Sequence, residues 1–274
     1  MALAIVQAAV AGLIQGLTEF LPISSSGHLV VLHDFLNFNL PDDVAFDVVL
    51  HLGTLGALVL FFYRDIVRYA VALLHSFGAW QLRQNLDQRL AWYLLIGTAP
   101  AALVGFVWED TIVFVFRSSA LVAVMLIVFG VVLYAVDRFA HQSRTLQDIT
   151  LGTAVLVGFA QAVALIPGVS RSGITIIAGL TQKLNRESAA RFSFLLSIPI
   201  VFGAGCKKAL DMASAGSLGG ADMLLLTVGF FTALISGYAC IKYFLRFLQN
   251  HSLAIFAYYR IALGLVILVV LWAN

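Results

Sequence analysis

Six apolar runs along the chain are each long enough, at about 20 residues, to cross a bilayer as a helix. They lie near 44–63, 90–107, 119–136, 190–206, 223–241 and 254–272. Two further stretches, 3–34 and 150–182, are apolar but broken by Pro, Gly and Ser clusters. Irregular backbone at membrane depth is tolerated only where it is buried in protein or lines a wet cavity. These stretches are therefore expected to be re-entrant hairpins, which enter the membrane and leave on the same side. The polar, tryptophan-bearing segment 65–89 is expected to be a surface helix or loop.

The two broken stretches are copies. GLIQGLTEFLPISSSG (12–27) laid over GFAQAVALIPGVSRSG (158–173) pairs Gly12 with Gly158, Gln15 with Gln161, Ser24 with Ser170, Ser26 with Ser172 and Gly27 with Gly173. The spacing is 146 residues throughout, and without a gap it also pairs Phe46 with Phe192. One shared Gly or Ser between apolar stretches means little; a constant spacing over six positions does not arise that way. Three spans separate the hairpins, and an odd number inverts the second copy. Inverted repeats bring broken helices together near the midplane, so Arg171 is expected to face the Glu19–His28 segment. The fold class that follows is an all-α polytopic membrane protein with two inverted-topology repeats. It forms a single membrane domain over 1–274: repeat one, 1–146, carries hairpin 3–34, and repeat two, 147–274, carries hairpin 150–182. Three transmembrane helices follow each hairpin.

Composition agrees. Of 274 residues, 61% are hydrophobic and 11% charged, where a soluble domain carries about 25% charged residues, and the mean hydropathy is +0.98. A net charge of +2 leaves no nucleic-acid footprint. The start, MALAIVQAAV, lacks the basic region of a secretory signal and is expected to begin the mature fold. Cys206 and Cys240 stand alone in apolar runs and read as packing residues. With the spans alternating, eleven Lys and Arg fall on one side (residues 64, 68, 83, 89, 138, 144, 183, 186, 191, 242 and 246). Arg117, Lys207 and Lys208 fall on the other, with Asp34, Asp42, Asp43 and Asp47. The positive-inside rule makes the first side cytoplasmic, so Glu19 opens to the outside.

An ionisable side chain at membrane depth marks a functional site. Gln15 and Glu19, four apart, share one helix face. Pro22 should end that helix near Leu21. Ser24, Ser25, Ser26 and Gly27 then form a turn suited to an oxyanion, leading into a new helix near His28. The second copy repeats the form in PGVSRSG, with Ser170, Arg171, Ser172 and Gly173, then Thr175. Arg171 adds a planar, always-charged fork suited to phosphate. Together these residues compose a phosphate site, with Arg171 and the serines on oxygens, Glu19 as base or metal ligand and His28 for proton transfer. Ser26 and Ser172 read equally well as hydrogen bonds between helices, and Gln15 and Gln161 as polar glue. A purely structural Glu19–Arg171 pair explains neither the serine cluster nor His28. The remaining histidines, 33, 51, 75, 141 and 251, read as structural. With a single carboxylate, a divalent ion would be held largely by the substrate's phosphates, which suits Mg²⁺, with Ca²⁺ as the alternative.

No GxxxxGK[ST], HExxH or paired CxxC occurs. SGH (26–28) is shared with the acid-phosphatase type of lipid phosphatase, but that family's Lys-x6-Arg-Pro and Arg-x5-His elements are missing. The chain instead resembles the undecaprenyl-diphosphate phosphatase family linked to bacitracin resistance. The family's (Glu/Gln)-x-x-x-Glu stands here as Gln15 to Glu19, followed by FLPISSSGH, and its second signature is PGVSRSG at 167–173, followed by Thr175. FDVVLHLGT (46–54), RFSFLLSIP (191–199) and YRIALG (259–264) extend the likeness over essentially the whole chain. Many members carry Glu where this chain has Gln15, so Glu19 is expected to carry the charge alone.

The resemblance implies a bacterial inner-membrane enzyme with its site open to the periplasmic side. Its reaction would be hydrolysis of undecaprenyl diphosphate to the monophosphate and inorganic phosphate, recycling the lipid carrier of cell-wall synthesis. The implied partners are that lipid, the bilayer and a homodimer mate, with no nucleic acid. The residues implied for catalysis are Glu19, His28, Ser25 and Arg171. Those implied for substrate are Gln15, Ser24, Ser26, Gly27, Gln161, Ser170, Ser172, Gly173 and Thr175. The rival reading is a polyprenyl-phosphate flippase, since inverted repeats with broken midplane helices are also transporter architecture.

Overall fold

The structure, a computed structural model, describes residues 1–32, 43–116, 118–215 and 220–273. His33, Asp34, Asp42 and Arg117 of the sequence reading lie outside the described residues, as do the side chains of Asp43 and Lys208. The described chain is helical. In order it forms α1 (Ala2–Phe20), α2 (Ser25–Val30), α3 (Asp43–Ser76), α4 (Leu86–Phe116) and α5 (Ser119–Phe139). Then come α6 (Leu151–Val163), α7 (Arg171–Thr181), α8 (Arg186–Ala215), α9 (Gly220–Leu248) and α10 (Ala254–Ala273).

The breaks fall where local chemistry puts them. Pro22 excludes helical backbone from the residue before it, and Leu21 caps α1 in an extended conformation, φ −68° and ψ 144°. Ser24 then restarts the chain: its hydroxyl accepts from the Gly27 amide at 3.3 Å and α2 begins at Ser25. The second copy does the same, with Ser170 accepting from the Gly173 amide at 3.1 Å ahead of α7. Ser24 and Ser170 both hold φ 72°. A positive φ costs a residue with a Cβ on the order of 1–3 kcal/mol, and such strain gathers at functional sites.

Each expected span lies within one helix, but among the described residues seven helices are long and apolar enough to cross a membrane. The addition is α1, which stays unbroken for 19 residues, whereas its counterpart α6 has 13. Segment 65–89 is a helix and then turns, the helix set off from the span before it by a kink. α3 runs on to Ser76 through a non-helical residue at Phe62, and a short turn region precedes α4.

Packing follows a reciprocal plan. α1 packs on α9 and α6 on α4; α3 also meets α9, as α8 meets α4; α5 lies along α10. Counted within α1–α5 and α6–α10, the first helix of each set packs on the fourth of the other. Glycine makes the close approach. A Cβ on Gly158 would lie 2.2 Å from the Gly97 carbonyl, and one on Gly12 would lie 2.0 Å from Thr232 Oγ1. Small residues at such crossings supply the van der Waals contact that holds membrane helices together. Phe46 and Phe192, equivalent in the two copies, are both buried.

Residues that the charge count placed on one side meet at one end of the bundle. Asp65 pairs with Arg68 at 2.9 Å and Arg191 at 2.5 Å, and Arg186 holds Asp137 at 2.6 Å. Asp137 also accepts from the Leu253 amide at 2.9 Å. The Arg144 amide donates to the Lys183 carbonyl at 2.9 Å, so the chain entering α6 lies beside the chain leaving α7. Here Asp148 caps a short turn through Thr145, and those hydrogen bonds lower its pKa.

Candidate active site

Glu19, on the last turn of α1, is the hub. Its Oε1 accepts from Arg171 Nη2 at 2.6 Å, across 152 residues of sequence. Its Oε2 accepts from Gln15 Nε2 at 3.0 Å and from Ser25 Oγ at 2.8 Å. The expected approach of Arg171 to the Glu19 segment is therefore met, and Gln15 and Glu19 do share a helix face. The carboxylate is 8% exposed and the Arg171 side chain 15%. A buried pair of this kind is costly to assemble and is weak grounds for stability by itself.

The pair leaves polar groups over. Arg171 Nη1 and Gln15 Oε1 are buried without a hydrogen-bond partner. An unpaired buried donor or acceptor costs about 1–3 kcal/mol, more when charged. A phosphate oxygen on Nη1 would remove that cost. The oxygens of Glu19 and Gln15 are also donors of the kind a hard cation takes. Among the described residues no three His, Cys, Asp or Glu side chains gather into a metal cage. The set therefore fits an ion that draws its remaining ligands from phosphate and water.

The turns are held by the serines assigned to substrate. Ser24 and Ser26 hydroxyls lie 3.1 Å apart, and Ser170 and Ser172 hydroxyls 3.2 Å apart. Ser26 Oγ accepts from the Gly168 amide at 3.3 Å, and Ser172 Oγ donates to the Leu21 carbonyl at 2.9 Å. Each turn thus ties itself to the opposite one. The Gly27 and Gly173 amides are engaged by Ser24 and Ser170. Thr175 is fully buried and sits 2.6 Å from Ser193 Oγ. These residues shape the site, and of the hydroxyls named for it only Ser25 contacts the carboxylate. Gln161 is 2% exposed, with neither amide atom partnered, so it makes no hydrogen bond to Glu19 or Arg171.

His28 stands aside. Its Nδ1 lies 2.8 Å from the Ser24 carbonyl and its Nε2 2.7 Å from the Tyr259 hydroxyl. A carbonyl only accepts, so Nδ1 carries the proton and Nε2 accepts from Tyr259. Both nitrogens are engaged away from Glu19.

Three residues escaped the sequence reading. His51, read as structural, places Nε2 3.7 Å from Glu19 Oε2, with Nδ1 on the Asp47 carbonyl at 2.7 Å. Tyr259 partners His28, and Arg260, fully buried, reaches both turns. Arg260 carried a signal, being a charge inside the apolar run 254–272. His51 and Tyr259 had none.

Known proteins resemble the chain over nearly its whole length. The family described as bacitracin resistance protein BacA matches residues 8–266. An undecaprenyl-diphosphatase of Paenarthrobacter aurescens (strain TC1) is 44% identical over 273 residues, covering 98% of both chains. The protein of that name from Rubrobacter xylanophilus is 44% identical over 96% of both chains. That of Geotalea daltonii is 44% identical over 96% of this chain and 97% of its own. A match spanning both broken turns and all ten helices leaves no part of the site outside it, and the chain belongs to the bacitracin resistance protein BacA family.

Proposed function

We propose that the protein hydrolyses undecaprenyl diphosphate to undecaprenyl phosphate and inorganic phosphate. The observation that carries this reading is the shared carboxylate: Glu19 holds Ser25 Oγ at 2.8 Å and the Arg171 fork at 2.6 Å. Arg171 keeps Nη1 for a substrate oxygen, at the first residue of α7, where a helix N-terminus favours an anion. Phosphoryl transfer asks the protein mainly for positioning and charge stabilisation.

In the proposed reaction, Glu19 Oε2 takes the Ser25 proton as Ser25 Oγ attacks the terminal phosphorus. The bond from that phosphorus to the bridging oxygen breaks, and undecaprenyl phosphate leaves. Water then attacks the serine-bound phosphorus, and Glu19 returns its proton to Ser25 Oγ as that bond breaks. The proton lost by the water stays with inorganic phosphate. A divalent cation, Mg²⁺, would sit on Glu19, Gln15 Oε1 and the diphosphate, where it supplies neutralisation of phosphate charge.

The two sets of five helices are assigned as inverted repeats, with α1–α2 and α6–α7 as re-entrant hairpins in a bacterial inner membrane. Supporting this are the reciprocal packing, the matched turns and the adjacency of Arg144 and Lys183. The basic end is then cytoplasmic and the Glu19 site periplasmic. A Ser25→Cys variant modified only from the cytoplasmic side would reject that orientation. The reaction itself is tested by phosphate release from undecaprenyl diphosphate in detergent, where a protein that only flips the lipid releases none.

A further inference from the structure

Arg260 is among the largest fully buried side chains of the described residues, and it is cationic. Every hydrogen bond it makes goes to a main-chain carbonyl. Its Nη1 donates to Pro22 O at 3.2 Å, and its Nη2 to Gly168 O at 3.0 Å and Val169 O at 2.9 Å. Its Nε donates to Leu126 O on α5 at 3.4 Å. Pro22 and Gly168 are equivalent in the two copies, 146 residues apart. One guanidinium therefore grips the same point of both broken turns. Two residues beyond the Pro22 turn's Ile23 lies Ser25, and two beyond Val169 lies Arg171. Carbonyls freed where a helix is interrupted need donors inside a membrane, and a planar fork can serve several at fixed angles.

We propose that Arg260 is a positioning residue for the phosphate site: it fixes the turn bearing Ser25 against the turn bearing Arg171. No other single side chain is seen to hydrogen-bond main-chain atoms of both turns among the described residues. The reciprocal Ser26–Gly168 and Ser172–Leu21 bonds each tie one turn to the other; Arg260 ties both to α5 and α10 as well. Its nitrogens are all spent on carbonyls, so it acts on the reaction through the placement of Arg171 against Ser25, without touching substrate. The close fit extends to Gly173, where a Cβ would lie 2.8 Å from Arg260 Nη1.

The inference rests on the phosphatase reading, and the wild-type enzyme tests that reading first: no phosphate release rejects it outright. Given release, kcat is measured for folded, monodisperse Arg260→Gln, Arg171→Lys and the double variant. Misplacing reacting groups by about 1 Å costs about a hundredfold, and that loss is expected for Arg260→Gln. Because Arg260 works through the placement of Arg171, the double variant should fall within about threefold of Arg171→Lys alone. Losses that multiply overturn the proposal, since independent damage to the fold multiplies. Should Arg260→Gln fail to fold, Arg260→Lys takes its place in the same cycle. Lysine keeps the charge but cannot hold both turns, so wild-type kcat in Arg260→Lys overturns the proposal too.

Discussion

Arg171→Lys separates a phosphate-binding guanidinium from a mere counter-ion. In the structure the guanidinium divides its work: Nη2 meets Glu19 Oε1 at 2.6 Å, while Nη1 is buried without a partner. A lysine ammonium is one compact charge on a flexible stem. It can stay with Glu19 or follow the phosphate, but it cannot present a second nitrogen at a fixed angle. The variant therefore loses one charge-assisted contact to the reacting phosphate in a site 15% exposed or less. Losing one preorganised donor to a developing charge costs about 3–4 kcal/mol, or roughly a hundredfold to a thousandfold in kcat. Stability should change far less. The ion pair survives in the variant, so a shift of about 1 kcal/mol, a few degrees in Tm, is expected. The assay is phosphate release from undecaprenyl diphosphate by purified protein, beside a melt of the same sample. If Arg171→Lys turns over within about threefold of wild type, Nη1 carries no phosphate and Arg171 is only the partner of Glu19.

Glu19→Gln should abolish phosphate release while leaving a folded protein, because the amide cannot take the Ser25 proton. A variant that melts early yet keeps its turnover would instead mark a structural pair, for which losing one partner costs about 3–5 kcal/mol. Gln15→Glu should remain active and depend more steeply on Mg²⁺, read as the metal concentration at half-maximal rate, since an orphaned amide oxygen becomes a charged ligand. Gly158→Ala should lower Tm and spare the turnover of what stays folded: its methyl would meet the Gly97 carbonyl at 2.2 Å, backbone that cannot turn aside. Overpacking of that kind costs about 1–3 kcal/mol.

What the sequence made legible follows from how a membrane chain spends its polar residues. Glu19 and Arg171 stood out because few charges lie within apolar runs, and Pro22 with Ser24 gave the break and the restart. The hydroxyls were harder. A serine in a membrane turn can serve a ligand or the turn itself, and no sequence pattern gives the hydrogen bonds that Ser24, Ser26, Ser170 and Ser172 make within and between the turns. His51 lies in the long apolar helix α3, where nothing local separates a histidine aimed at Glu19 from one aimed elsewhere. Tyr259 meets His28 across 231 residues, a distance over which no spacing rule operates. Pro22 marks where α1 ends, but the stretch 3–34 reads as a broken hairpin; the 19 unbroken residues of α1 pack through Gly12 and Gly16 against α9.

The two turns, whose sequences match at a spacing of 146 residues, also share one site between them. At the same 146-residue spacing, Glu19 corresponds to Leu165, Ser25 to Arg171 and His28 to Ile174. The turns are alike in form: both place a serine at φ 72°, cap a glycine amide and reach across to the other turn. The chemistry is divided, with carboxylate and hydroxyl from one copy and guanidinium from the other. Two identical copies would bury two carboxylates in the membrane interior, each needing its own partner. Divergence at three positions leaves one ion pair, and Arg171 stands where the other copy carries the serine that Glu19 holds. Gln161 persists opposite Gln15 with both amide atoms unpartnered, because the residue four further on is leucine and no carboxylate remains for it to hold. Hydrogen bonds between the turns set where they meet, and the differences at these positions set which side chains Glu19 holds.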